Sequence, residues 1–212
     1  MGLSGLWAGE KWIPNPAMHL LGVTWVIISM KILYGFALDV HHWGWLDASP
    51  LGADLSLGIF LLSLIGFNIL IAQRHDVDAI AAQATLVLLG LGSGTGALYD
   101  EIGVAGMILL GTWSMHGLAL HRQSGNLASL GIAVSYLWIG LHAFSDGWVI
   151  ASIEIVSFED DLLLFMLMFA VTATNAVIAT QFHKADNWFS AAAQGLGLGK
   201  PGLWAISVGL GM

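Results

Sequence analysis

Cysteine is absent from all 212 residues, so disulfides, thiolate metal ligands and iron-sulfur clusters are excluded at the outset. Charge is nearly as scarce. Only 9% of residues are Asp, Glu, Lys or Arg, 57% are apolar, and the mean hydropathy is +0.80. That balance excludes an ordinary soluble domain and a disordered chain alike. Positive charge is the rarer sign, with six Lys and Arg against fourteen Asp and Glu, and the net charge of −8 argues against a nucleic-acid partner. The opening residues lack a cationic segment followed by an apolar run, so no cleaved signal peptide is expected. Met1-Gly2 begins like a myristoylation signal, but Leu6 stands where Ser or Thr is required. No Ser-His-Asp set, metalloprotease motif or glycosidase carboxylate pair is recognisable, and no enzymatic activity is expected.

What the sequence has in quantity is long apolar runs. Windows able to span about 30 Å of hydrocarbon fall at 18–38, 55–72, 79–98, 104–120, 127–144 and 162–182. The expected fold is therefore all-α, an integral membrane bundle of six transmembrane helices. An interfacial segment at 1–16 precedes a transmembrane domain at 17–183, and a glycine-rich tail at 184–212 follows it. With six spans and both termini cytoplasmic, Lys11, Arg74, Arg122, Lys184 and Lys200 share the cytoplasmic side of a cell membrane, as retained positive charge requires. The other side receives Asp39, Asp47, Asp54, Asp100, Glu101, Asp146, Glu154, Glu159, Asp160 and Asp161. Lys31 is the exception, about two thirds of the way across the first window, where a lysine costs roughly 2.5 to 3.5 kcal/mol. It must either face protein or water, or snorkel to the outer surface.

The glycine run from Gly90 to Gly96 lies within an apolar window, so it reads as close helix packing rather than as a phosphate loop. Gly195 to Pro201 lacks the spacing and the Ser/Thr of a Walker motif. The tail from Trp188 is too broken for a seventh span and is expected at the interface or against a neighbouring subunit.

Eight histidines leave three readings open. Asp39, His41, His42, Asp47, His142 and Asp146 could form a metal site, or simply a solvated loop, since no fixed ligand spacing is present. Histidines near acids could sense pH. His19 and His116 are the one pair placed for intramembrane haem ligation, although most such histidines bond a neighbouring carbonyl. No cofactor or metal is expected. Polar side chains inside the windows (Asn68, Gln83, Thr85, Ser114, Thr172, Thr174 and Asn175) either line a solute pathway or bond between helices.

Asn15-Pro16-Ala17 before the first window resembles the opening signature of the acetate and succinate transporters of the GPR1/FUN34/SatP group. Leu57-Gly58-Ile59-Phe60, Gln73-Arg74-His75, Leu110-Gly111-Thr112-Trp113 and Arg122 follow a similar layout. Only Asn15, Pro16 and Ala17 match residue by residue; Met18 replaces the next proline, Thr24 stands at an expected constriction aromatic, and Leu88 at an expected tyrosine. The resemblance implies a homo-oligomer, a hexamer, with a narrow pathway through each subunit. Proton-gated urea and amide channels are similar in layout. The expected function is a channel or transporter for a small solute, a monocarboxylate such as acetate, possible substrate contacts being Asn15, Pro16, Thr24, Lys31 and Leu88. Asn15 would cap the first helix and leave its dipole to an anion. The acidic outer face instead favours a neutral acid, urea or ammonia. The alternative is a non-catalytic or metal- or haem-bearing subunit of a larger membrane complex.

Overall fold

The computed structural model describes residues 2–94, 101–150 and 153–211. The elements in order are α1 (Gly2–Trp12), α2 (His19–His42), α3 (Ala53–His75), α4 (Asp78–Gly94), α5 (Glu101–Arg122), α6 (Gly125–Phe144), β1 (Val149–Ile150), β2 (Ile153–Glu154), α7 (Asp161–Gln181), α8 (Trp188–Gly195) and α9 (Leu203–Gly211). The two strands form a minimal antiparallel pair and everything else regular is helix. Five helices are long and apolar enough to cross a membrane: His19–His42, Leu55–His75, Glu101–Arg122, Gly125–Phe144 and Asp161–Gln181. They coincide with five of the six apolar windows, the pattern of a multi-pass helical membrane protein. α4 occupies the third window with 17 residues, a rise of about 25 Å. The end of that window, at 95–98, and Asp100 lie outside the described residues.

Charge follows helix direction. α5 opens on Glu101 and closes on His121 and Arg122, α3 closes on Arg74 and His75, and α4 and α7 open on Asp78 and Asp161. Each sign sits where it complements the partial charge of the helix end. The chain forms two compact units, Met1–Ala84 and Thr85–Met212, with the boundary inside α4.

In the first unit α1 runs antiparallel along α2. Eleven residues rise only about 16 Å, so α1 is a half-length helix and not a span. Gly2, Gly5 and Gly9 meet Leu33, Ser29 and Val26 in that order. A Cβ at Gly9 would stand 2.9 Å from the Gly22 carbonyl oxygen, and one at Gly22 would stand 2.7 Å from Ile13 N. Backbone therefore touches backbone, the way helices associate where lipid removes any apolar preference for one neighbour over another. Gly90, by contrast, meets nothing within 4 Å, and the side-chain surroundings of the rest of that glycine run are outside the described residues.

In the second unit α5 and α6 form a hairpin turned by Gln123, at φ 51°, and by Ser124, whose hydroxyl accepts from Leu127 N to cap α6. α7 lies beside both. Val104, Ala105 and Ile108 of α5, Ile139 of α6, and Leu167 and Val171 of α7 make the apolar core. The acidic end is pinned by Glu101, whose carboxylate accepts from Glu159 N at 2.9 Å and Asp160 N at 3.1 Å. Asp160 in turn caps α7 through Leu162 N and Leu163 N.

The glycine-rich tail folds back on its own chain. Asn126 accepts from Trp188 N, Asn187 caps α8 through Ser190 N, and the Ser190 hydroxyl donates to Pro201 O. α9 packs against α6 and α7 with Leu203, Ile206 and Ser207 buried, and Gly211 lies against the Tyr136 ring. Lys200 Nζ donates to Asp186 Oδ1 at 2.5 Å, and this bond and charge hold the Asp186 carboxyl below its usual range.

Two outcomes follow from this packing. Gly9→Val should lower unfolding free energy in detergent by about 1–3 kcal/mol through overpacking, whereas Gly66→Ala, which meets nothing within 4 Å, should not lower it. Because the folded-state pKa of Asp186 is depressed, its pairing stabilises the tail above the ordinary carboxylate range and is lost as pH falls through the depressed value. Lys200→Gln should therefore speed proteolysis of residues 185–202 at neutral pH, and wild type and variant should converge in acid.

Candidate functional site

The most polar feature inside the apolar helices is a three-residue line in the second unit. α5 buries Ile108, Gly111, Thr112, Met115, His116 and Ala119, positions three and four apart, so His116 belongs to its packed face. His116 Nε2–H donates to Asn175 Oδ1 of α7 at 2.8 Å, Asn175 Nδ2 donates to Ser135 Oγ of α6 at 3.0 Å, and Ser135 Oγ donates to Ile132 O at 3.0 Å. All three side chains are buried. Donor follows acceptor in one direction only, which fixes the imidazole as the tautomer protonated on Nε2. In the neutral ring His116 Nδ1 is a lone-pair acceptor, and it is buried without a hydrogen-bond partner among the described residues. Gly131 makes room for it, since a Cβ there would stand 2.9 Å from Nδ1 and 2.8 Å from Cε1. Nearby, the Thr85 hydroxyl meets Met115 Sδ at 3.0 Å and Thr112 returns its proton to Ile108 O.

The first unit holds a smaller polar group. Asn68 Nδ2 donates to Gln83 Oε1 at 3.3 Å, and Gln83 Nε2 donates to Ile27 O at 3.1 Å, joining α3, α4 and α2. The buried Tyr34 hydroxyl and Asn68 Oδ1 have no hydrogen bond of normal geometry.

The residues expected from sequence to touch a solute fall in both units. Asn15 and Pro16 are exposed in the turn before α2, where Asn15 Oδ1 accepts from Ala17 N at 3.1 Å. Asn15 does not cap α2: Met18 holds that position without a side-chain bond, because the turn spends the Asn15 oxygen two residues away. Thr24 and Lys31 are exposed on α2, seven residues apart on one face, and the Thr24 hydroxyl returns to Leu20 O. Trp25, Ile28 and Ile32 share that exposed face. Leu88 is buried in the second unit. Of the polar residues noted inside the windows, Asn68 and Gln83 bond each other, Asn175 is the centre of the buried line, and Thr174 accepts from Trp113 Nε1 at 3.3 Å. Ser135 was not among them. Its signal was weak, a lone hydroxyl within an apolar run that only a partner on another helix distinguishes.

The histidines expected at the acidic side are not gathered. His142 is buried, with Nδ1–H donating to Val156 O at 2.7 Å and its ring edge-on to Phe158. His41 and His42 close α2. Among the described residues, no three His, Asp or Glu side chains converge as metal ligands. His19 Nδ1–H donates to Ile13 O at 2.9 Å, while His116 is engaged with Asn175. No family model, curated protein or solved structure matches the chain.

The buried line has a stability signature. Asn175→Leu removes the acceptor of His116 and the donor to Ser135, which keeps its bond to Ile132 O, and the orphaned buried imidazole N–H should lower unfolding free energy by about 1–3 kcal/mol. Thr180→Val, which removes an exposed hydroxyl that donates to Val177 O of its own helix, should cost about 0.5 kcal/mol or less. Equal losses in a denaturant titration would show that the line contributes nothing beyond packing.

Proposed function

We propose that the chain is a membrane conduit for a small polar solute, built on six spans with α4 as the sixth. The regions before α2 and after α7 would face the cytoplasm, as the positions of Lys11, Arg74, Arg122, Lys184 and Lys200 favour. The observation that carries the solute reading is His116 Nδ1, a buried acceptor with no hydrogen-bond partner among the described residues. An acceptor in an apolar surround suits a neutral solute that brings its own donor: the O–H of a monocarboxylic acid such as acetic acid, or the N–H of urea or ammonia. Acetate is the first choice because of the Asn15-Pro16-Ala17 resemblance, and the same resemblance supports assembly of identical chains. The acids of the opposite face disfavour a free anion and favour the protonated form, which links uptake to protons. Lys31, on an exposed apolar face of α2, supplies positive charge only if a neighbouring chain encloses that face.

Flux of labelled acetate and of urea into proteoliposomes between pH 5 and 8 tests this reading. At least one solute should move faster than into empty vesicles, and for acetate the excess should grow toward pH 5. Gly131→Ala, which crowds Nδ1, and His116→Leu, which deletes it, should each reduce the excess by about tenfold, the worth of one buried hydrogen bond. Lys31→Met should change it less. Flux no faster than into empty vesicles for both solutes would end the conduit reading.

A further inference from the structure

The end of α3 carries a pocket whose chemistry is unlike the apolar surface around it. Trp7, Glu10 and Lys11 of α1, Pro14 of the following turn, and Arg74 and His75 of α3 line an open depression of about 390 Å³ within the first unit. Arg74 Nη1 donates to Glu10 Oε1 at 2.6 Å. His75 Nε2 is 3.5 Å from the same oxygen but makes no hydrogen bond, although its side chain is only 10% exposed. The Lys11 ammonium stands 5.2 Å from the centre of the Trp7 ring and forms no ion pair among the described residues.

The charge sum is incomplete. One carboxylate faces two permanent cations, leaving a net positive charge before any protonation of His75. Arg74 spends one N–H on Glu10 and, with its side chain 73% exposed, keeps the rest of its planar fork available. Glu10 anchors that fork and cannot neutralise Lys11 as well. The position adds a second argument. Arg74 and His75 close one of the five helices able to cross the bilayer, so the pocket opens at the depth where headgroup phosphates lie and indole rings are favoured.

We propose that this pocket binds a phosphate group, supplied by the headgroup of an anionic phospholipid or by phosphate from the aqueous phase. Arg74 and Lys11 neutralise its charge, and His75 lines the pocket beside Glu10. Glu10 is a positioning residue that holds the guanidinium in the pocket and ties α1 to α3. Pro14 and the Trp7 ring form the walls.

The test uses the purified full chain in detergent. Native mass spectrometry measures retention of phosphatidylglycerol against phosphatidylcholine, and calorimetry measures binding of inorganic phosphate. Lys11→Gln is the decisive variant, because Lys11 supports no ion pair and the fold should be unaffected, as thermal unfolding will confirm. Arg74→Gln is the second, and Lys184→Gln is the control. Preferential retention of phosphatidylglycerol that drops about fivefold in Lys11→Gln, the effect of about 1 kcal/mol per basic residue, and not in Lys184→Gln, supports a lipid source. Inorganic phosphate binding with the same sensitivity supports the aqueous source. If neither lipid nor phosphate binding changes in Lys11→Gln or in Arg74→Gln, the proposal is overturned.

Discussion

A polar group carried into hydrocarbon on an apolar helix has no water to fall back on, and in this chain that constraint fixes the second unit. Lipid tails are as apolar as leucine, so the contacts of Val104, Ile108, Leu167 and Val171 hold helices together without strongly choosing their rotation or register. Asn175 does choose. Its two amide atoms are shared between His116 on α5 and Ser135 on α6, and turning α7 by a few tens of degrees would break both bonds at once and orphan the imidazole N–H. Bonds between membrane helices are each worth only about 0.6 kcal/mol on average, but an unmet buried group costs about 1–3 kcal/mol. The asymmetry between the two figures, rather than the strength of any bond, sets the arrangement.

The first unit relies on close approach more than on polar bonds. Where Gly9 and Gly22 let two backbones touch, α1 obtains contact from main-chain atoms that longer side chains would have kept apart. The result is a helix too short to span yet seated along one that does. α9 is its counterpart in the second unit, short, apolar and packed on α6 and α7, with caps at Asn187 and Ser190 holding the preceding turn. Each unit thus packs a half-length helix against its long ones, supplied by sequence expected only to lie at the interface.

The long helices were legible because 18 or more apolar residues with few charges admit no other structure in a chain so poor in charge. α1 and α9 were not. Eleven and nine residues fall below any spanning window, and glycine at Gly2, Gly5 and Gly9 lowers helix propensity while providing the packing face. The spacing of those glycines was the available signal. The polar line was half legible: Asn175 is conspicuous inside an apolar window, but its partners lie 59 and 40 residues away, and no local pattern reports a contact between helices. Asn15 illustrates the opposite failure, since a good capping residue in the right place bonded two residues ahead instead.

His116 and Lys31 present the same problem with different solutions, and the difference bears on what kind of solute the chain favours. Lys31 lies on an exposed face beside Trp25, Ile28 and Ile32, about 12 Å along the helix from Asp39. A four-carbon stem covers only part of that distance, so in an isolated chain the charge is poorly solvated. His116 has one nitrogen bonded to Asn175 and, in the neutral ring, a lone pair on the other, which packs against Gly131. An anion would meet that lone pair with repulsion and a cation would have to shed its water first. A neutral hydrogen-bond donor meets neither obstacle, so the proposed conduit would favour a protonated acid, urea or ammonia over a carboxylate.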